Sequence, residues 1–135
     1  IALGVTKTLK VLGEVRAELG IHTFSPMNLF LSDGNDIVCA CYTFDLGRYD
    51  GLGEDFNPPE EQALRIWYTT GRSYGYHEGE WKMIGGPEEH RSTIIASEPL
   101  TRDRSTWTAV PMQHLIYVRR TGDAPSIEVL PIDLG

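Results

Sequence analysis

Few side chains in this sequence could act as nucleophile, base or metal ligand, and they are scattered. Gly71-Arg72-Ser73-Tyr74-Gly75 has the G-x-S-x-G spacing of a nucleophile elbow. In that motif a strained strand-to-helix turn lifts the serine above a helix N-terminus. A strand can precede it, but Tyr76-His77-Glu78-Gly79-Glu80 runs toward Gly85-Gly86 where the helix should begin. A glycine-rich hairpin is the plainer reading, since a motif without its structural context is weak. His22, His77, His90 and His114 are far apart, and no H-E-x-x-H or C-x-x-C pair occurs, so no metal site is expected. Cys39-x-Cys41 offers two ligands at most, and a small buried hydrophobe is the usual role of such a cysteine. On a strand the two would share a face, where a disulfide between them would need unusual geometry.

The carboxylate pairs Glu60-Glu61 and Glu88-Glu89 lie in polar, proline-flanked segments and read as solvated charges rather than an acid/base dyad. Trp67, Trp81 and Trp107 with Tyr68, Tyr74, Tyr76 and Tyr117 would suit a sugar- or base-stacking platform. Aromatic residues on strands more often serve core and cross-strand packing. Ser97-Glu98 closes an apolar strand, Ile94-Ile95-Ala96, and a polar pair there is well placed to reach a cleft. The structural alternative is a turn cap or a pairing of Glu98 with Arg102.

The elements that must position these residues begin with a helix. Val5 to Leu19 is amphipathic, with Val5, Leu9, Leu12, Val15 and Leu19 forming an apolar stripe that Arg16 interrupts. Gly13 marks a close packing contact, and Gly20 suits the left-handed residue that ends a helix. Strands follow at Met27–Ser32 and Ile37–Phe44, joined at Asp33-Gly34, a strong hairpin signal. On the second strand Ile37, Cys39, Cys41 and Thr43 share one face and Val38, Ala40, Tyr42 and Phe44 the other. Both faces are largely apolar, which predicts cover on both sides. Residues 45–59 read as a surface loop, with a helical turn beginning near Asn57. Further strands are expected at Leu64–Thr69, with Leu64, Ile66 and Tyr68 on one face, and at Glu80–Ile84, Ser92–Ser97, His114–Arg120 and Ser126–Leu130. One helix followed by six or seven strands implies an α+β layered fold rather than a βαβ alternation.

At 135 residues and 15.1 kDa there is room for one domain or part of a larger one. Lys+Arg is 12 against Asp+Glu 19, a formal charge of −7. That argues against a nucleic-acid partner, whose binding rests on clustered cations, but leaves small anionic substrates open. No apolar run approaches the roughly 18–20 residues of a membrane span, so no membrane partner is expected. Two cysteines are too few for a disulfide scaffold, which with the missing secretory signal suggests a cytoplasmic protein with reduced thiols. The sequence opens Ile1-Ala2-Leu3-Gly4 with neither an initiator Met nor a polar leader. Processing, an incomplete sequence and a missing upstream partner segment each account for that.

Several segments, in order, resemble a known family. Ser25-Pro26-Met27-Asn28-Leu29-Phe30-Leu31-Ser32-Asp33-Gly34 resembles the S-x-x-N-x-x-x-x-D-G stretch of class II glutamine amidotransferase domains. The branch it is similar to includes the fungal glutathione-degradation amidotransferase and its bacterial relatives. Trp67-Tyr68-Thr69-Thr70-Gly71 resembles that branch's Y-Y-x-x-G, and Ala96-Ser97-Glu98-Pro99-Leu100-Thr101 its A-S-E-P-L-T turn. Trp107 with Val110-Pro111 resembles the W-x-x-V/I-P that follows, and Leu115–Val118 the closing strand. The ergothioneine-pathway γ-glutamyl hydrolase shares parts of the pattern. The sequence departs from the family at Cys41, where Arg is common, and in the longer 45–59 insertion.

The resemblance implies an Ntn-hydrolase fold: two antiparallel sheets between helical layers. It implies a nucleophilic Cys at a mature N-terminus, with its own α-amino group as base, and no cofactor. It also implies donors for an oxyanion in the N-terminal half of the domain. Residue 1 here is Ile, and Cys39 and Cys41 are embedded in a strand. Residues 1–135 are therefore expected to be the C-terminal part of one such domain, completed by its N-terminal half or by a separate chain carrying it. No catalytic residue is expected within the chain; Ser97 and Glu98 would line the pocket for a small γ-glutamyl substrate. A half-domain of this kind is expected to leave edges and apolar surface open. The alternatives are a non-catalytic interaction or regulatory module that keeps the fold, and an unrelated β-rich binding domain.

Overall fold

The structure, a computed structural model, describes residues 1–46 and 65–135. Apart from Asp45 and Leu46, the expected loop, its helical turn and Leu64 lie outside the described residues. Helix α1 spans Ala2–Glu18. It ends as its glycine predicts: Gly20 takes φ +66°, its N–H donates to the Ala17 carbonyl, and the Ile21 N–H donates to the Arg16 carbonyl. Those two bonds form a Schellman cap, which satisfies carbonyls that the last turn cannot.

The buried side of α1 differs from the expected stripe. Val5 and Leu9 are buried, but Leu12, Val15 and Leu19 face water. The packed line turns through Gly13 and Arg16 instead. Phe44 approaches to 3.6 Å of where a Gly13 Cβ would sit, and the Arg16 guanidinium lies 4.9 Å from the Phe44 ring centroid. Arg16 also donates to the Thr23 carbonyl at 2.7 Å and to Asp45 Oδ2 at 3.0 Å. Arg16 is thus a contact residue: its cation lies against an aromatic face while its Nη2 donates to Thr23 and Asp45.

Nine strands occur among the described residues, in antiparallel pairs. β1 (Ser25–Ser32) and β2 (Ile37–Phe44) form the predicted hairpin, through a four-residue loop rather than a two-residue turn. Asp33 builds that loop by accepting from the Asn35 and Asp36 N–H groups at 2.9 and 2.8 Å. β3 is Ile66–Gly71, β4 Ser73–His77, β5 Glu80–Ile84, β6 Ser92–Ala96, β7 Thr108–Val110, β8 His114–Thr121 and β9 Ala124–Pro131. The expected six or seven strands thus become nine, because β4 and the three-residue β7 carry too little apolar alternation to register in sequence.

The larger sheet runs β1-β2-β8-β9, a second runs β6-β3-β7, and β4-β5 form a separate two-stranded ribbon. The larger sheet is a shared wall. Val38, Ala40, Phe44 and Leu115 pack against Val5 and Leu9 of α1. From its other face Cys39, Cys41, Ile116 and Val118 meet Ile66 and Val110 of the second sheet. The two-sided cover predicted for β2 is present, and Val38 to Cys41 are buried without a break. Fully burying a side chain the size of Val38 contributes about 2 kcal/mol. The architecture is α+β, layered helix, sheet, sheet. Apolar surface stays in water on the outer side of α1, at Val11, Leu12, Val15 and Leu19, and on β1 at Phe30 and Leu31. No helix among the described residues is long and apolar enough to cross a membrane.

Candidate functional site

The sequence-predicted residues do not converge on one place. Ser97 and Glu98 are exposed on the bend after β6 and make no side-chain hydrogen bond to another described residue. The Glu98–Arg102 pairing does not form. Ser73 opens β4, and the Arg72 N–H donates to the Ile84 carbonyl at 2.8 Å, so the G-x-S-x-G segment is a sheet corner with no helix behind it. Glu89 forms an exposed ion pair with Arg72 at 2.9 Å. His90 meets Thr93 Oγ1 at 2.7 Å and His114 the Met112 carbonyl at 2.9 Å, each a local contact. No group of three or more His, Cys, Asp or Glu side chains among the described residues could hold a metal ion.

The cysteines are not joined in a disulfide and are buried. Burial pushes the Cys39 thiol up to about 12 and also raises Cys41. A thiol needs its thiolate to attack, so neither is poised as a nucleophile near neutral pH. Cys39 forms part of the wall of an apolar cavity of about 300 Å³ between the two sheets, with Phe30, Ile37, Ile95, Val118 and Pro125.

A larger cleft, of about 670 Å³, opens between the β4-β5 ribbon and the turn after β6. Local sequence builds both walls. The ribbon reverses at Glu78-Gly79, both at positive φ (+53° and +88°), the pattern of a type I′ turn. Glu78 is an uncommon residue in that conformation, and its carboxylate takes Lys82 Nζ at 2.6 Å. The ribbon is moored to β3 at Gly71, where a Cβ would stand 2.8 Å from the Gly85 carbonyl and 2.9 Å from that of Ile84, and closer still to Met83 Cγ. Only glycine permits that approach.

On the ribbon's outer face Tyr76 sits opposite Trp81, with ring centroids 6.0 Å apart at 66°, and Tyr74 stacks on the same indole at 6.0 Å and 23°. These are the cross-strand contacts expected of strand aromatics, but they are not core: Tyr76 is 64% and Trp81 58% exposed. A two-stranded ribbon has no second layer to cover them. The opposite wall is a self-braced turn. Trp107, buried, donates its indole N–H to Thr101 Oγ1 at 2.8 Å. The Asp103 carboxylate caps a short 3-10 turn (Arg104–Thr106), accepting from the Ser105 N–H at 2.9 Å and its hydroxyl at 2.6 Å. Thr101, Asp103, Ser105 and Trp107 alternate in sequence, a signal the reading by motif passes over.

The cleft is polar with both signs present. Glu80, Glu78 and Asp103 bring carboxylates, Arg102 a guanidinium, and Trp81 and Leu100 apolar surface. The hydrogen bond from Lys82 holds the Glu78 carboxyl below its usual range, and the Ser105 hydroxyl and N–H do the same for Asp103. Both are therefore anionic acceptors at neutral pH. Neither Ser97 nor Glu98 borders the cleft, although Leu100 to Asp103 continue the same turn. Compared with protein-family models, with curated proteins and with solved structures, the chain matches none.

Proposed function

We propose that these residues form the C-terminal part of an Ntn-type glutamine amidotransferase or γ-glutamyl amide hydrolase domain. The observation that carries the reading is the layer order, a helix on a four-stranded antiparallel sheet whose other face meets a second antiparallel sheet. The family-like segments fall on its framework: β1 with its hairpin, β3, the turn after β6, and β7–β8. Apolar surface left in water on α1 and β1 is what a domain completed by further polypeptide would present.

On this reading Cys39 and Cys41 are wall residues. The reactive thiol comes from polypeptide other than residues 1–135, either the N-terminal half of the same domain or a separate chain. It attacks the γ-carbonyl of a small γ-glutamyl amide, releasing the amine and leaving a thioester that water then hydrolyses. Ser97 and Glu98, exposed beyond β6, are the residues of this chain that reach toward the glutamyl pocket.

The test uses protein isolated from its native source with any polypeptide that co-purifies, assayed for glutamate release from γ-glutamyl-p-nitroanilide. Release that iodoacetamide abolishes, and that persists when Cys39 and Cys41 are replaced by Ser, is the expected result. Release that survives alkylation refutes a cysteine mechanism. No release from any native form supports the non-catalytic module instead.

A further inference from the structure

We propose that the outer face of α1 is the contact surface for a second copy of this chain, with the two helices packed antiparallel. The proposal does not depend on the amidotransferase reading. Polypeptide that completes such a domain would still have β1, with Phe30 and Leu31, to cover.

The helix has two uncharged sides. One runs through Val5 and Leu9 and lies in the core. The other consists of Gly4, Thr8, Val11, Leu12, Val15 and Leu19, all of them exposed. At about 100° per residue these six fill an arc about 100° wide with no charged residue inside it, the width of a packing stripe. Gly4, Thr8, Val11 and Val15 follow one another in steps of four, three and four residues. That spacing keeps one line of contacts against a neighbouring helix. The Thr8 hydroxyl donates to the Gly4 carbonyl at 2.9 Å, so it is satisfied within the helix and needs no water. Nothing lies within 4 Å of where a Gly4 Cβ would sit, which leaves room for a side chain from a partner.

Charge selects the occupant and its direction. Lys7, Glu14 and Glu18 run along one border of the stripe, all exposed, with the cation toward the start of α1 and the carboxylates toward its end. None of the three is paired with another described residue. The opposite border is taken, because Arg16 packs there on Phe44. A two-fold axis perpendicular to the helices sets the charged border of one copy against the same border of the other, head to tail. Lys7 of each copy then meets Glu14 of the other, and the contact occurs twice. A parallel pair would set each charged border against the core-facing border of its neighbour and match none of these charges. A membrane is the poorer occupant: helices that lie on lipid carry Lys and Arg along their polar face, whereas this border is mostly acidic on a chain of net charge −7.

One helix a side is less than a standard interface, so the dimer is weak and forms at high concentration. Sedimentation equilibrium of the 135-residue chain at low salt reads it, from about 10 µM to about 1 mM, the range of such interfaces. The expected result is a reversible rise in mass from 15.1 kDa toward twice that and no further, because a two-fold contact closes on itself. Val15→Asp puts a charge into the stripe at an exposed position and should weaken association at least roughly tenfold. Lys7→Glu and Glu14→Lys should each weaken it roughly fivefold, the scale of two exposed ion pairs, and the two changes combined should restore the parent value. Circular dichroism checks the fold of each variant. A chain still monomeric at the top of the concentration range overturns the proposal, as does growth beyond a dimer. So does a folded Val15→Asp protein that dimerises like the parent, or a double variant that stays as weak as the single ones. Co-sedimentation of a monomeric chain with phosphatidylglycerol vesicles also overturns it, in favour of a lipid surface.

Discussion

Replacing Gln113 by Ala should cost about 3 kcal/mol of folding stability, although this residue lies in no core cluster. β2 and β8 pair from Ile37↔Val118 to Cys41↔His114, and there the backbone ladder stops. Gln113 continues it with a side chain. Its Oε1 accepts from the Thr43 N–H at 2.9 Å and its Nε2 donates to the Thr43 carbonyl at 2.8 Å. Thr43 is 4% exposed, so water cannot readily replace either bond. A buried polar group left unpaired costs about 1–3 kcal/mol, and truncation to Ala orphans a donor and an acceptor together. Gln113 also adopts φ +62°, a conformation that disfavours Ala. Gln113→Gly loses the same two bonds but relieves that conformation, so it should be less damaging than Ala by about 1 kcal/mol. Gln113→Glu can still accept from Thr43 but cannot donate to its carbonyl, and should destabilise most at neutral pH. Urea unfolding of the three variants, extrapolated to water, gives the comparison. Ala within about 0.5 kcal/mol of the parent protein, the size of an ordinary surface change, would refute the reasoning. So would Gly proving worse than Ala.

Three other outcomes are expected. Gly71→Ala places a methyl against the Gly85 and Ile84 carbonyls and should cost about 2 kcal/mol or more while displacing the β4-β5 ribbon; a melting temperature and Trp81 indole shift both unchanged would contradict this. Arg16→Ala removes the contact with Phe44 and the bonds to Asp45 and Thr23, and should cost about 2 kcal/mol by urea unfolding, whereas an exposed arginine would cost almost nothing. The Cys39 thiol ionises near 9.0 when unfolded but near 12 when folded, so the folded state holds its proton over that window. Stability is therefore complete below pH 9 and falls as pH rises through it, by about 1.4 kcal/mol per unit up to the folded value. Cys39→Ala should remove that share of the alkaline slope, and a slope identical in parent and variant would disprove the assignment.

Much of the architecture was legible because β2 carries apolar side chains on both faces, and only a middle layer explains that. The helix was legible in extent but not in facing. Arg16 counts as a break in an apolar stripe, yet its place is set by an aromatic ring at the end of another element, which helical periodicity does not contain. Gln113 shows the same limit, since its two bonds reach a residue distant in sequence. In sequence the aromatic residues of β4 and β5 look like ordinary strand packing. What makes Trp81 and Tyr76 different is that their ribbon has one layer where the other strands have two, a property of the assembled sheets. Ser97-Glu98 lies just past the end of β6, and the wall of the cleft begins two residues further on, at Leu100.

The position of β2 between helix and second sheet also bears on how the chain reaches this state. The ladder that joins Cys39 to Ile116 spans more than half of the sequence. During synthesis β2 leaves the ribosome well before β8, its lasting neighbour on that side. Until then the β2 edge that β8 will pair is unpaired and its cysteine-bearing face lacks Ile116 and Val118, the condition in which a nascent segment recruits chaperones. Contacts so distant along the chain close slowly, so that pairing is expected to set the pace of maturation.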